Sequence, residues 1–326
     1  MLAQPACHHP NVDIREAWRK DSFAGYALLP ASWLYSLGWL AYRSIYQLGL
    51  KKPKSPHKPV VCVGNWRVGG TGKTPFTVFL VQQLVSLGRP AVISCSGYGS
   101  PRSEASSVAP QGPLDPREWG DEAALLRSLL PQVPLIVGRR RVLAGQLCHE
   151  QFPNHVLVMD DGLQHLPLFK HVKIALDPPT DNHRSLPAGP YREPYKFRQS
   201  VDLALPGGGF EVLRQVTGIR IQGKLEPVAA IKGKQANLLC ALGSPEGFIQ
   251  TCQTLGIEIA ETHLMPDHHA LQPGTLPAWK HTLPTLVTAK DAVKLSAYEG
   301  ELWVVEESAR VEPLDQFIVW LKNALP

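Results

Sequence analysis

The chain has 326 residues, 44% of them hydrophobic and 19% charged, with a formal net charge of +5. These figures describe a folded protein with room for two domains, and a charge suited to anionic surfaces or phosphorylated substrates. No arginine-rich tract or nucleic-acid-reading motif supports a DNA or RNA partner, and none of the six dispersed cysteines forms a C-x-x-C pair, which points to reduced thiols in a cytosolic compartment without a zinc cluster or disulfide frame.

Taken in order, the chain begins with Cys7, His8 and His9, which are metal-ligating types but read as part of a mobile leader. No residue between Asp21 and Arg43 is charged, and Ser22 to Tyr42 is rich in Trp, Tyr and Leu. Its length is near the roughly 20 residues that span a bilayer, but Pro30, several small residues and scattered aromatics suit a helix lying in the membrane interface better. Lys51, Lys52, Lys54 and Lys58 follow, well placed for anionic headgroups on the cytoplasmic side. The alternative is that this segment packs on its own domain. No small-residue cleavage site marks it as a secretory signal. Residues 1–58 are therefore expected to be a membrane-associating segment and basic linker.

Val60 to Val63 has strand length and β-branched content, and the turn that follows, G-N-W-R-V-G-G-T-G-K-T-P, leads into an amphipathic segment. Strand, glycine-rich loop and helix in this order predict a phosphate cradle. Gly69, Gly70, Thr71 and Gly72 turn backbone N–H groups toward an anion at a helix N-terminus; Lys73 brings a point charge for the β- and γ-phosphates, and Thr74 a hydroxyl for Mg²⁺. The match to the Walker A pattern is incomplete, because Arg67 stands where its first glycine belongs.

A helical stripe runs from Phe76 to Leu87 and stops at Gly88; a strand follows at Ala91–Ser94, and residues 100–117 read as a long surface loop. Asp121 and Glu122 open a helix written W-G-D-E-A-A-L-L-R-S-L-L, where acidic residues favour the first turn. Arg139, Arg140 and Arg141 begin the helix behind the strand Leu135–Val137 and oppose its dipole, so a phosphate or carboxylate partner and a solvated basic face are both open readings. The strand V-L-V-M-D-D then delivers Asp160 and Asp161 at its carboxyl end, before G-L-Q-H. Two adjacent carboxylates repel unless a cation lies nearby, which favours a metal beside the triphosphate over a plain surface turn. Strand-like runs at Val172–Asp177 and Val201–Leu205 flank a proline-rich loop presenting Arg192 and Glu193.

The alternation predicts an α/β fold whose core, residues 59–206, is a P-loop-containing, mostly parallel sheet with helices on both faces and ligands at the carboxyl ends of its strands. Gly207, Gly208 and Gly209 mark a boundary to a second, smaller α/β domain, residues 207–326, with strands expected near 218–222, 237–242, 257–263, 285–288 and 302–305. Ser244 and Pro245 read as the start of one helix and Leu314 to Leu321 as another.

The phosphate loop, G-D-E at Gly120–Glu122, D-D-G-L-Q-H at Asp160–His165, L-P-A-G-P-Y-R-E-P at Leu186–Pro194, P-D-H-H at Pro266–His269 and T-A-K-D-A-V-K-L at Thr288–Leu295 together resemble the tetraacyldisaccharide 4′-kinase family over most of the chain. The resemblance implies transfer of the γ-phosphoryl group of ATP to the 4′-hydroxyl of a tetraacyldisaccharide 1-phosphate lipid at the cytoplasmic face of the inner membrane, with no obligatory protein partner. It also implies an active-site cleft between the two α/β domains. By motif it assigns Asp121 as catalytic base assisted by His268, and Thr74, Asp160, Asp161, Gln164 and Glu193 to the Mg²⁺ and phosphate environment. Asn65, Glu122, Arg141, His165 and Arg192 become substrate or phosphate contacts. Ser96, Arg140, Ala289 and Arg67 depart from the family pattern without touching the base or the metal ligands. The competing readings are a P-loop nucleotide-dependent switch or metal-insertion chaperone, and a catalytically silent scaffold.

Overall fold

The computed structural model describes residues 18–19, 22–242, 245–266, 269, 271, 276 and 283–326. Contact density divides the chain into two units. One joins the residues up to Lys51 with Trp66–Val68 and Pro178–Ser200; the other takes Lys52–Asn65, Gly69–Asp177 and Val201–Pro326.

In the first unit, helices α1 (Phe23–Ala27) and α2 (Leu29–Gln47) are followed, after the basic linker, by irregular chain. Pro30 sits in the first turn of α2, where its missing N–H costs nothing. The inner side of α2 is tied to the proline-rich loop by polar contacts: Ser32 Oγ donates to the Ser185 carbonyl at 2.8 Å, Tyr35 Oη to that of Arg192 at 2.7 Å, and Arg43 to that of Phe197. The other side leaves Trp33, Leu34 and Leu37 exposed, and Phe23 of α1 is exposed as well. Among the described residues, no helix is long and apolar enough to cross a membrane.

The second unit holds two sheets. The first takes β1 (Val60–Gly64), β2 (Ala91–Cys95), β3 (Ser107–Val108), β4 (Leu135–Val137), β5 (Val156–Asp160), β6 (Val172–Leu176) and β7 (Leu203–Leu205) in the order β3-β4-β2-β5-β1-β6-β7. Every pairing is parallel except β3 with β4. Strands β1, β2, β4 and β5 are buried along their whole length, because crossover helices cover both faces of a parallel sheet. Those crossovers include α3 (Lys73–Ser86), α4 (Pro116–Trp119), α5 (Asp121–Leu129) and α6 (Arg141–Gln151).

The second sheet takes β8 (Glu211–Ile221), β9 (Lys224–Glu226), β10 (Gln235–Cys240), β11 (Glu258–Leu264), β12 (Thr285–Thr288) and β13 (Leu302–Glu312) in the order β11-β10-β12-β13-β8-β9. It is parallel from β11 to β13 and antiparallel beyond. Helices α7 (Glu246–Thr254), α8 (Ala289–Ala292) and α9 (Leu314–Ala324) complete it. The far halves of β8 and β13 run on beyond this sheet's own core. Ala309, Val311, Phe317 and Leu321 belong to the same buried cluster as Phe76, Phe79 and the first sheet. Phe317 lies 5.8 Å from Phe79, ring centre to ring centre, so α9 is stapled to the helix that begins at the phosphate loop.

Several elements differ from the sequence expectation: β3 lies within the stretch read as a loop, β9 was not expected, and β13 runs on to Glu312. The helix written W-G-D-E is two helices, α4 and α5, because Gly120 takes φ +88° between them. The arginine helix starts at Arg141, with Arg140 only at its cap. Strand β8 begins at Glu211 rather than near 218, since its first half presents mostly exposed polar residues whose pairing with β13 no periodicity announces. Ser244, Cys7, His8 and His9 lie outside the described residues.

Candidate active site

Strand β1 carries the chain into the sheet and delivers Asn65 at its carboxyl end, fully buried. The Asn65 amide donates to Thr71 Oγ1 at 2.8 Å, and Gln164 Nε2 donates to the Asn65 carbonyl at 2.9 Å, so one asparagine ties the glycine-rich loop to the loop after β5. Gly72, at φ +83°, caps α3 in the left-handed region and turns the chain so that Lys73 and Thr74 form the first turn. No side chain caps this helix. Its leading N–H groups therefore lack a side-chain acceptor, and the positive end of the helix dipole favours an anion there. A Cβ at Gly72 would lie 3.2 Å from Cδ of Arg214, on β8, which pairs with Glu307 at 2.5 Å.

Opposite this turn stand the two aspartates that end β5. Thr77 Oγ1 donates to Asp160 Oδ1 at 3.0 Å, and Thr74 Oγ1 lies 3.5 Å from Oδ2. Asp161 takes φ +54°, a left-handed conformation that aspartate tolerates better than most residues, and its carboxylate lies 3.9 Å from Lys73 Nζ. Burial, reinforced by the charges of Glu122 and Asp161, pushes the Asp160 carboxyl up to about 7, against the pull of Lys73 and of the Thr77 hydrogen bond. A group held this way is short of positive charge. The donors are hard oxygens, and Asn65 Oδ1 is buried with no hydrogen-bond partner. Among the described residues no three His, Cys, Asp or Glu side chains gather tightly enough to hold a metal by themselves. Such a set fits Mg²⁺, which takes one or two carboxylates and completes its octahedron with phosphate oxygens and water.

Other expected site residues take more varied places. Arg141 is buried and directed inward: Nη1 donates to Ser94 Oγ at 2.9 Å and Nη2 to the Asp160 carbonyl at 2.7 Å, bracing the end of β5. His165 is held neutral, its basicity lowered to about 4 by burial and by the charges of Lys170 and Arg141. Glu122 follows Asp121 on the first turn of α5, near enough to Asp160 to act on its charge. Arg192 and Glu193 belong to the first unit, where Glu193 is fully buried and accepts from the backbone and side-chain nitrogens of Gln199 at 2.9 and 2.8 Å. In that same unit, Val68 N donates to the Pro190 carbonyl and Arg192 N to that of Trp66, so residues 66–68 of the phosphate loop are laced to the proline-rich loop. His268 lies outside the described residues.

Asp121 opens α5 directly after Gly120, whose added Cβ would lie 3.2 Å from the Tyr98 carbonyl oxygen. It borders a cavity of about 880 Å³ that runs along one face of α5 toward Pro131 and is also lined by residues 292–298. Lys294, among them, lies 3.9 Å from the Asp121 carboxylate. Sequence reasoning passed over three residues here. Thr77 was legible as the position one helical turn after Lys73, Lys294 sat in a motif already noted, and Arg214 had no local signal.

Residues 24–325 match the family model for Tetraacyldisaccharide-1-P 4′-kinase. The chain belongs to that family. Among curated relatives, the tetraacyldisaccharide 4′-kinase of Halorhodospira halophila is 38% identical over 288 residues, covering 85% of this chain and 86% of the relative. That of Acidovorax ebreus is 34% identical over 327 residues, covering 96% and 95%. A crystal structure of LpxK from Aquifex aeolicus in complex with ATP superposes with a TM-score of 0.80 at 27% identity, covering 93% of this chain and 99% of that one. As a tetraacyldisaccharide 4′-kinase family member, the chain is read as an ATP-dependent phosphotransferase in preference to a nucleotide-driven switch or insertion chaperone. Arg67, one of the departures from the family pattern, lies in the first unit, where its Nη2 donates to the Pro178 carbonyl at 2.6 Å.

Proposed function

We propose that this chain transfers the γ-phosphoryl group of ATP to the 4′-hydroxyl of a tetraacyldisaccharide 1-phosphate lipid, with Asp121 as general base. The observation that carries this reading is the facing of Lys73 and Thr74, on the first turn of α3, by Asp160 and Asp161 at the end of β5. The α3 amides and Lys73 bind the triphosphate, and Thr74, Asp160 and Asp161 would hold Mg²⁺, with Gln164 in the same environment. When bound, the ion neutralises phosphate charge and orients the donor for in-line attack. As the acceptor oxygen bonds to phosphorus and the bond to the ADP oxygen breaks, the hydroxyl proton passes to the Asp121 carboxylate, with His268 assisting. Arg141 and Thr77 keep Asp160 in place throughout. In this reading residues 59–206 are the kinase core and residues 207–326 the smaller lobe that completes the cleft.

The test is incubation of purified protein with Mg-ATP and the disaccharide 1-phosphate lipid in detergent. The expected result is lipid-dependent ATP consumption and a bisphosphorylated product. ATP hydrolysis that is equal with and without lipid, and yields no such product, would sink the proposal.

The exposed apolar side of α1 and α2 supports peripheral attachment to the cytoplasmic face of the inner membrane, with residues 1–58 as the anchoring segment. Burying each large apolar side chain contributes about 1.5–3 kcal/mol. Trp33→Glu with Leu37→Glu should therefore weaken binding to anionic phospholipid vesicles more than about tenfold, while turnover on detergent-dispersed lipid changes less than about twofold. Unchanged co-sedimentation with vesicles would assign this face a purely structural role.

A further inference from the structure

The segment T-A-K-D-A-V-K-L forms α8 and the turn after it, and two of its charged residues, Asp291 and Lys294, are buried. Thr288 caps α8 by accepting from Asp291 N at 3.1 Å. Asp291, fully buried, receives the Ala241 N–H at 3.1 Å and the Thr288 hydroxyl at 2.9 Å on Oδ2, and stands 2.8 Å from Lys294 Nζ through Oδ1. The Lys294 side chain is only 3% exposed. Its ammonium also donates to the His269 carbonyl at 3.2 Å, and it lies 3.9 Å from Asp121 Oδ2.

A lysine ammonium carries three donors and a strongly hydrated charge, so it is buried only where anions and carbonyls replace the water. Two of those replacements come from the second-sheet side of the unit, the Asp291 carboxylate and the carbonyl next in sequence to His268. The third direction leads to Asp121. At 3.9 Å this is an ion pair without a short hydrogen bond, close enough to fix which way the carboxylate faces yet leaving its oxygens able to take a proton. Capping or helix propensity explains neither the burial of Lys294 nor its aim. Asp291 alone would have neutralised it.

Resting on the reading of Asp121 as base, we propose that Lys294, held by Asp291, is a positioning residue that orients the Asp121 carboxylate toward the acceptor hydroxyl and registers it against the chain segment carrying His268. The cation touches no reacting atom in this role. It acts through Asp121.

The test is a double-mutant cycle in the full-length protein, assayed on Mg-ATP and detergent-dispersed disaccharide 1-phosphate lipid, with ATP binding measured separately. Lys294→Met paired with Asp291→Asn removes the buried cation together with its anion, so no lone charge is stranded. With Asp121 intact, the pair should lower kcat about 10–100-fold while the KM for ATP stays within about twofold. In an Asp121→Ala background the same pair should cost less than about threefold, because its target is gone. An equal loss in both backgrounds, or no loss with Asp121 present, overturns the proposal. So does a pair variant that fails to fold, which would make the buried ions a scaffold element. Wild-type turnover in Asp121→Ala alone would instead overturn the assignment of the base, whatever Lys294 does.

Discussion

Asp121→Ala is expected to lower turnover about 10²–10⁴-fold while ATP binds with little change. Phosphoryl transfer depends chiefly on positioning and neutralised charge, both assigned in the proposed mechanism to α3 and the end of β5, and neither contains Asp121. What the substitution removes is the destination of the hydroxyl proton. A sugar alcohol is a poor nucleophile, and its attack is slow unless that proton leaves as the bond to phosphorus forms. In the proposed mechanism Asp121, at the first turn of α5, is that destination. Single-turnover phosphorylation of the lipid, alongside equilibrium binding of ATP, separates the two effects. A large loss of nucleotide affinity with chemistry intact would move Asp121 from base to phosphate environment.

Asp160→Asn is expected to cost about 100-fold or more in Mg-dependent turnover and yet to make the nucleotide-free protein more stable at high pH. The cause is the same burial that suits Asp160 to a cation. Its carboxyl, raised from 3.8 to about 7, favours the protonated form in the folded state. Such a group contributes stability that is complete below the unfolded value and is lost as pH climbs through the folded one. Above pH 7 the wild-type chain keeps a buried charge, only partly offset by Lys73 and Thr77, that asparagine lacks, an effect of at most about 4 kcal/mol. Thermal unfolding midpoints without nucleotide should therefore be higher for the variant at pH 8, with the gap closing toward pH 4. A gap of constant size across that range would mean that packing, not charge, separates the two proteins.

The apolar runs of β1, β2, β4 and β5 and the glycine-rich turn after β1 were legible because a buried parallel strand and a phosphate cradle each leave a local signature within a few residues. Asp160 and Asp161 were legible for the same reason, as an acidic stop to an apolar strand. The split at Gly120, the early start of β8 and the inward turn of Arg141 were not, since each depends on what lies across the fold: the Tyr98 carbonyl, the partner strand β13, and Ser94 with the Asp160 carbonyl.

Sequence alone determined the main strands and helices of the first sheet, the membership of the chain in its kinase family and the residue types of the cradle, because these follow from periodicity, glycine placement and motif spacing along the chain. Tertiary structure decided which charges face one another. Lys73 with Asp161, Thr77 with Asp160, and Lys294 with Asp121 are meetings of residues from different elements. The energy of a buried charge depends on neighbours brought from tens to hundreds of residues away, and no local pattern encodes them.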